Sequence, residues 1–139
     1  MRYLDASAIV KLAVAEVESN ALIKHLTEHP DSLHVTSAVA RTEVAIAIAR
    51  KGGSPAEFIA DEAGTFHLRG VSLRLLDVLP AVATTAAALG ARLHLRALDA
   101  IHVATARALD PDLTEVLTYD KRMISACEVL GMRVASPGA

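Results

Sequence analysis

Hydrophobic positions change period repeatedly along the chain, and those changes predict its elements. Residues 2–5 begin strand-like and pass at once into Ala8, Ile9, Leu12 and Ala13, which share one side of a helix. The first strand is therefore expected to end at Asp5, with Ser7 as the N-cap of the helix. A second helix is predicted over residues 19–28, with Leu22, Ile23 and Leu26 on one face and a stop at His29-Pro30-Asp31. Residues 33–36 read as a short strand. Thr36 or Ser37 is expected to cap a long helix running to Lys51, which Gly52-Gly53 ends and Ser54-Pro55 restarts, making a helical hairpin.

The second half repeats the alternation. Residues 71–76 read as a strand, Pro80 opens an alanine-rich helix ending near Gly90, and a further helix spans residues 96–109 up to Asp110-Pro111. Residues 116–119 follow as a strand, residues 121–130 as a helix stopped by Gly131, and residues 133–135 as a short last strand. Strands alternating with helices predict an α/β fold with a parallel sheet of four or five strands, covered on both faces by right-handed crossovers.

Bulk properties narrow the setting. A chain of 139 residues fits one domain, and 53% hydrophobic with only 3% aromatic residues means a core filled by Ala, Val, Leu and Ile. The apolar stretch at residues 81–89 is too short to span a bilayer and no basic-then-apolar leader precedes the first strand, so a cytoplasmic protein without a membrane segment is expected. The one cysteine, Cys127, excludes an internal disulfide or a cysteine-based zinc site and reads as a small buried hydrophobe. A net charge of −2 gives no basic footprint for tight non-specific nucleic-acid binding. It leaves room for a nuclease, because a bound divalent ion reverses the sign of an acidic pocket.

Four acids carry the candidate chemistry. Asp5 and Asp120 stand at the carboxyl ends of predicted strands, where open parallel sheets bind ligands, although an Asp in that position also serves simply as a helix cap. Glu43 shares a helical face with Val39, Ala40, Ile46 and Ala47, and Asp99 lies in Leu98-Asp99-Ala100-Ile101-His102-Val103-Ala104, a helix start with almost no polar side. A buried unpaired carboxylate is costly, so each needs either an arginine such as Arg41, Arg50 or Arg96, or a metal. Were the four to meet within ~5 Å, each pair would repel by about 3 kcal/mol at an effective dielectric of ~20. Oxygen-only ligands point to Mg²⁺ or Mn²⁺, and those ions with their waters to hydrolysis of a phosphodiester.

Tyr3-Leu4-Asp5-Ala6-Ser7-Ala8 with Lys11 and Leu12, the segment from Thr36-Ser37 to Glu43, the run from Leu95 through Asp99 to Ala106, and Leu117-Thr118-Tyr119-Asp120-Lys121-Arg122-Met123 resemble the PIN-domain ribonucleases. Among them the chain is most similar to the VapC toxins of type II toxin–antitoxin pairs, and the likeness covers essentially the whole chain. It implies a single PIN-like nuclease domain over residues 1–139, folded as a three-layer α/β/α sandwich. It also implies Asp5, Glu43 and Asp99 as core metal ligands, Asp120 as a further acidic member, and Ser7 and Thr118 orienting ligands or water through their hydroxyls. An RNA substrate, Mg²⁺ or Mn²⁺, a homodimer and a cognate antitoxin that blocks the acidic pocket follow from the same resemblance.

Other residues stay open at this stage. Lys11, Lys121 and Arg122 stand near the acids in sequence and are candidates for phosphate contacts or plain solvated surface. His102, one turn after Asp99, is either a ligand or a satisfied helix histidine. The main alternative to a nuclease is a catalytically silent metal- or partner-binding module of the same fold. A phosphoacceptor domain lacks its early acid pair in Asp5-Ala6-Ser7, and a phosphatase of the two-aspartate type lacks its second aspartate where Ser7 stands.

Overall fold

The computed structural model describes residues 1–139, apart from the side chain of Glu57. The strands are β1 (Arg2–Leu4), β2 (His34–Ser37), β3 (Thr65–Leu68), β4 (Val71–Leu76), β5 (Glu115–Leu117) and β6 (Val134–Ala135). The helices are α1 (Ala6–Ala13), α2 (Ser19–Thr27), α3 (Ala40–Arg50), α4 (Pro80–Leu93), α5 (Ala97–Arg107) and α6 (Lys121–Val129). One sheet orders the strands β3-β4-β2-β1-β5-β6, all pairs parallel except β3 with β4.

Side chains alternate across the strands, and the alternation splits the core into two layers. Leu4, Leu73 and Leu117 join residues of α1, α2 and α3 such as Ile9, Leu22 and Val44 on one face. Tyr3, Val35 and Val116 join Leu89, Val103 and Met123 of α4, α5 and α6 on the other. The result is the expected α/β/α sandwich. Among the described residues, no helix is long and apolar enough to cross a membrane. Cys127 is buried, which pushes its thiol up to about 12 and leaves it a small apolar filler.

The sheet has six strands rather than four or five. The missed strand, β3, is only four residues long, and its alternation of Phe66 and Leu68 inward with Thr65 and His67 outward is too short to stand out. Arg69 and Gly70 turn the chain between β3 and β4 with φ of 48° and 82°, a two-residue hairpin in which both positions are left-handed. The expected helical hairpin does not form either. After α3 there is only a 3-10 turn at Pro55–Glu57, and Phe58 then stacks on Phe66 with ring centroids 4.1 Å apart, which ties this segment to the edge strand instead.

Three predicted helix ends also move. Asp5, not Ser7, caps α1, accepting the Ala8 N–H at 3.0 Å. Thr36 and Ser37 belong to β2, because that strand continues to pair with β4 as far as Ser37 opposite Leu76. Gly90 does not end α4. A Cβ there would lie 3.1 Å from the Ala100 Cβ, so this glycine lets α4 approach α5, and the helix ends at left-handed His94.

At the amino end of the sheet the charges are paired. Arg2 and Glu115 are the first residues of adjacent parallel strands, and the Arg2 Nε donates to Glu115 Oε1 at 2.7 Å while His25 Nε2 sits 2.7 Å from the same oxygen. Burial works to raise the Glu115 pKa, but His25 and then Arg2 outweigh it and the net shift is downward. Truncation in Glu115→Ala leaves Arg2 buried without its counter-ion and is expected to cost about 3 kcal/mol. This corresponds to a fall of roughly 10 °C in melting temperature at neutral pH. A depressed folded-state pKa stabilises above the unfolded value of about 4.3 and loses that contribution as pH falls through the folded one. The gap between wild type and Glu115→Ala is therefore expected to narrow in melts run below about pH 4.

Candidate active site

The opposite, carboxyl end of the parallel strands gathers acids. Asp5 follows β1 and is only 4% exposed. Its Oδ1 accepts the Ser7 hydroxyl at 2.6 Å as well as the Ala8 N–H, and its Oδ2 accepts the Thr118 hydroxyl at 2.5 Å. Those hydroxyls are themselves held. Ser7 Oγ accepts the Tyr119 N–H at 2.9 Å, and Thr118 Oγ1 accepts the Asp120 N–H at 3.1 Å. The loop after β5 is thereby fastened to the loop after β1 through Asp5. Burial is the largest influence on the Asp5 carboxyl and raises its pKa, against the lowering effect of these donors.

Asp120 follows β5 and caps α6, accepting the Arg122 N–H at 2.7 Å. Asp99 lies in the first turn of α5, and its pKa is raised first by burial and then by the charges of Asp120 and Glu43. The arginine alternative for these acids is not realised. Among the described residues no ion pair involves Asp5, Asp99 or Asp120, and Glu43 is paired only with His102, Nε2 to Oε1 at 2.6 Å. Asp99 thus faces the charges of Asp120 and Glu43 with no ion pair to an arginine or lysine, the opposing charge of Arg96 being the smallest of the influences on it.

As the side chains stand, no three His, Cys, Asp or Glu groups among the described residues are placed to hold a metal ion. Both oxygens of Asp5 are engaged, Glu43 Oε1 is taken by His102 and Asp120 Oδ1 caps α6. The donor chemistry nevertheless fits a hard divalent ion, since every acid offers oxygen and their repulsion is what such an ion relieves.

Neighbouring cations divide into two kinds. Lys11 is withdrawn from the site: its ammonium lies 2.7 Å from Glu16 and 2.8 Å from Glu18, over the Tyr119 ring at 4.6 Å. It clips the α1–α2 connection to the loop after β5. Lys121 and Arg122 are exposed at the start of α6. A cleft of about 360 Å³ between α1 and α3 is lined by Ser7, Val10, Glu43, Ile46 and Arg50. The residue that sequence reasoning left open and the structure places inside the site is His102, buried and bonded through both ring nitrogens. Its one hint in the sequence is its position one turn beyond Asp99.

The fold is shared with known proteins. Residues 2–129 match the PIN domain family. The chain is 44% identical over 136 residues to Ribonuclease VapC46 of Mycobacterium tuberculosis, covering 97% of this chain and 96% of the relative. A toxin–antitoxin complex from Klebsiella pneumoniae superposes with a TM-score of 0.69 at 18% identity, over 99% of this chain and 98% of the other. Mycobacterium tuberculosis VapC20, a toxin that cleaves the sarcin-ricin loop, superposes with the same TM-score of 0.69 at 16% identity, over 91% and 95%. At these identities the two structures establish a shared fold.

Removing one of the opposing charges is expected to stabilise the metal-free protein. Asp99→Asn removes a charge that burial and the carboxylates of Asp120 and Glu43 disfavour. In a metal-free thermal melt its melting temperature should rise by a few degrees, where most substitutions would lower it.

Proposed function

This chain belongs to the PIN-domain family, among the VapC ribonucleases, and on that premise we propose that it is a Mg²⁺- or Mn²⁺-dependent endoribonuclease, the toxin of a toxin–antitoxin pair. The observation that carries the reading is the set of carboxylates at the carboxyl end of the sheet, where Asp99 faces the charges of Glu43 and Asp120 and none of the three has an ion pair with an arginine or lysine among the described residues. Together with Asp5 they are the residues that would hold the ion. The chemistry such an ion supplies is Lewis acidity toward the scissile phosphate and activation of the attacking water.

The chain's own groups do the rest. Ser7 and Thr118 hold the Asp5 carboxylate at both oxygens, so its direction is set before any ligand arrives. Asp120 is fixed by its role as the α6 cap. Arg50 in the cleft beside Glu43, with Lys121 and Arg122 next to Asp120, offers cations to RNA phosphates, and none of the three is committed to an ion pair among the described residues. This local supply compensates for the absence of a globally basic surface.

Support for an antitoxin partner comes from the Klebsiella pneumoniae complex of the same fold and from the apolar wall that Val10, Ile46 and Ala47 give the cleft. The homodimer belongs to the same reading. Helix α4 buries only Ala86 and Leu89 and presents Ala83, Ala87 and Ala91 to a shallow apolar cleft of about 400 Å³ shared with α5. Sedimentation of the purified protein is expected to give twice the chain mass, and an Ala87→Glu variant the chain mass alone.

Cleavage of a cellular RNA pool is expected with Mg²⁺ or Mn²⁺ and should stop in excess EDTA. Asp5→Asn and Asp99→Asn should each slow it by roughly 10²-fold or more. Cleavage that persists in EDTA or in both variants would contradict the reading, while tight Mn²⁺ binding without turnover on any RNA would establish a silent binding module instead.

A further inference from the structure

His102 is 1% exposed, yet neither ring nitrogen is idle. Nδ1 lies 2.6 Å from the Tyr3 hydroxyl and Nε2 lies 2.6 Å from Glu43 Oε1. The Tyr3 oxygen also accepts the Ser37 backbone N–H at 3.2 Å, and the Tyr3 ring meets His102 edge-on, at 72° with centroids 5.8 Å apart. One chain of hydrogen bonds therefore links β2, β1, α5 and α3, ending on an acid of the site.

Its direction follows from donor and acceptor counting. An ionised carboxylate only accepts, so the proton between His102 and Glu43 belongs to Nε2. A neutral imidazole then has a bare Nδ1, which accepts the phenolic hydrogen of Tyr3. The phenol keeps that hydrogen, because its burial raises its pKa far above the ordinary value. Its oxygen is held in place by the Ser37 amide, part of the backbone of a central strand. The imidazole is thus fixed in tautomer and orientation, in the way that an outer partner fixes a histidine beside a metal.

Glu43 gains most from this. It is a long side chain in the first turn of α3, partly exposed at the cleft, with three rotatable bonds to be ordered. The bond from His102 takes Oε1 and leaves Oε2 without a protein hydrogen bond among the described residues. We propose that Tyr3 and His102 are positioning residues for Glu43, holding its carboxylate so that Oε2 is available to the divalent ion. The proposal rests on the metal-dependent reading above and adds two residues to it, neither of which touches the ion or the RNA.

Two amide variants of the full chain, differing by one methylene, separate positioning from packing. A glutamine at this site reaches as far as Nε2 and can still donate to Glu43, whereas an asparagine reaches only as far as Nδ1 and cannot. Calorimetric titration with Mn²⁺ is expected to show His102→Asn weakened by about tenfold or more and His102→Gln within about threefold of wild type. Metal-free melting temperatures should fall by similar amounts in both. Tyr3→Phe keeps the ring and removes the donor to Nδ1, and is expected to weaken Mn²⁺ by a few-fold. The imidazole ¹⁵N spectrum of the metal-free protein should show His102 protonated at Nε2 and bare at Nδ1.

Equal losses in the Asn and Gln variants, no loss in either, tighter binding in either, or the opposite tautomer would overturn the positioning role. Where wild type binds Mn²⁺ and cleaves RNA but the two variants match, only this proposal falls. Where wild type binds no Mn²⁺, the metal-dependent reading falls and takes the proposal with it.

Discussion

Asp5 is a buried acid with no cation paired to it among the described residues, and much of the site is arranged around making that tolerable. Its two oxygens collect two hydroxyls and a helix N–H, and those hydroxyls are in turn fixed by backbone amides of the loop after β5. An unsatisfied carboxylate in this position would cost several kcal/mol. Satisfied in this way, it becomes the knot that joins β1, α1 and the start of α6. Ser7 and Thr118 are therefore parts of the fold, and any loosening at either would be felt at the acid.

The two ends of the central strands treat charge in opposite ways. At the amino end, Arg2 and His25 share one carboxylate oxygen of Glu115, and the buried Arg2 charge is met in place. At the carboxyl end, Asp99 is left facing the like charges of Asp120 and Glu43. Parallel strands bring all their carboxyl ends to one edge, so residues that follow different strands, far apart in sequence, converge there without any local signal. Stability is concentrated at one edge and an unmet demand for positive charge at the other. That division gives a chain with no overall basic character a local demand for a cation.

The Tyr3–His102–Glu43 chain extends the same economy into the core. Tyr3 fills the α4–α6 side of the sheet and His102 the inner face of α5, where purely apolar residues would pack as well. Polar groups at such depth are acceptable only when every donor and acceptor is met, and here the Ser37 amide, the phenol and the imidazole satisfy one another up to the acid. A rigid route from the central strands to a side chain on a cleft-lining helix is the consequence.

Periodicity, helix stops and acids on apolar faces are local properties of neighbouring residues, so the alternation of strand and helix, the sandwich class and the candidacy of Asp5, Glu43, Asp99 and Asp120 were legible in the sequence. Short or conditional elements were beyond it. Strand β3 exists because β4 offers it an edge and Phe58 covers Phe66, and Thr36 and Ser37 are strand rather than cap because β4 pairs with them. Gly90 reads as a stop until α5 is seen lying against it. Tertiary structure alone decided that Lys11 is spent on Glu16 and Glu18, and that His102 has Tyr3 on one side and Glu43 on the other. Such partners lie dozens of residues apart, and no local pattern records which side chains a fold will bring within hydrogen-bonding distance.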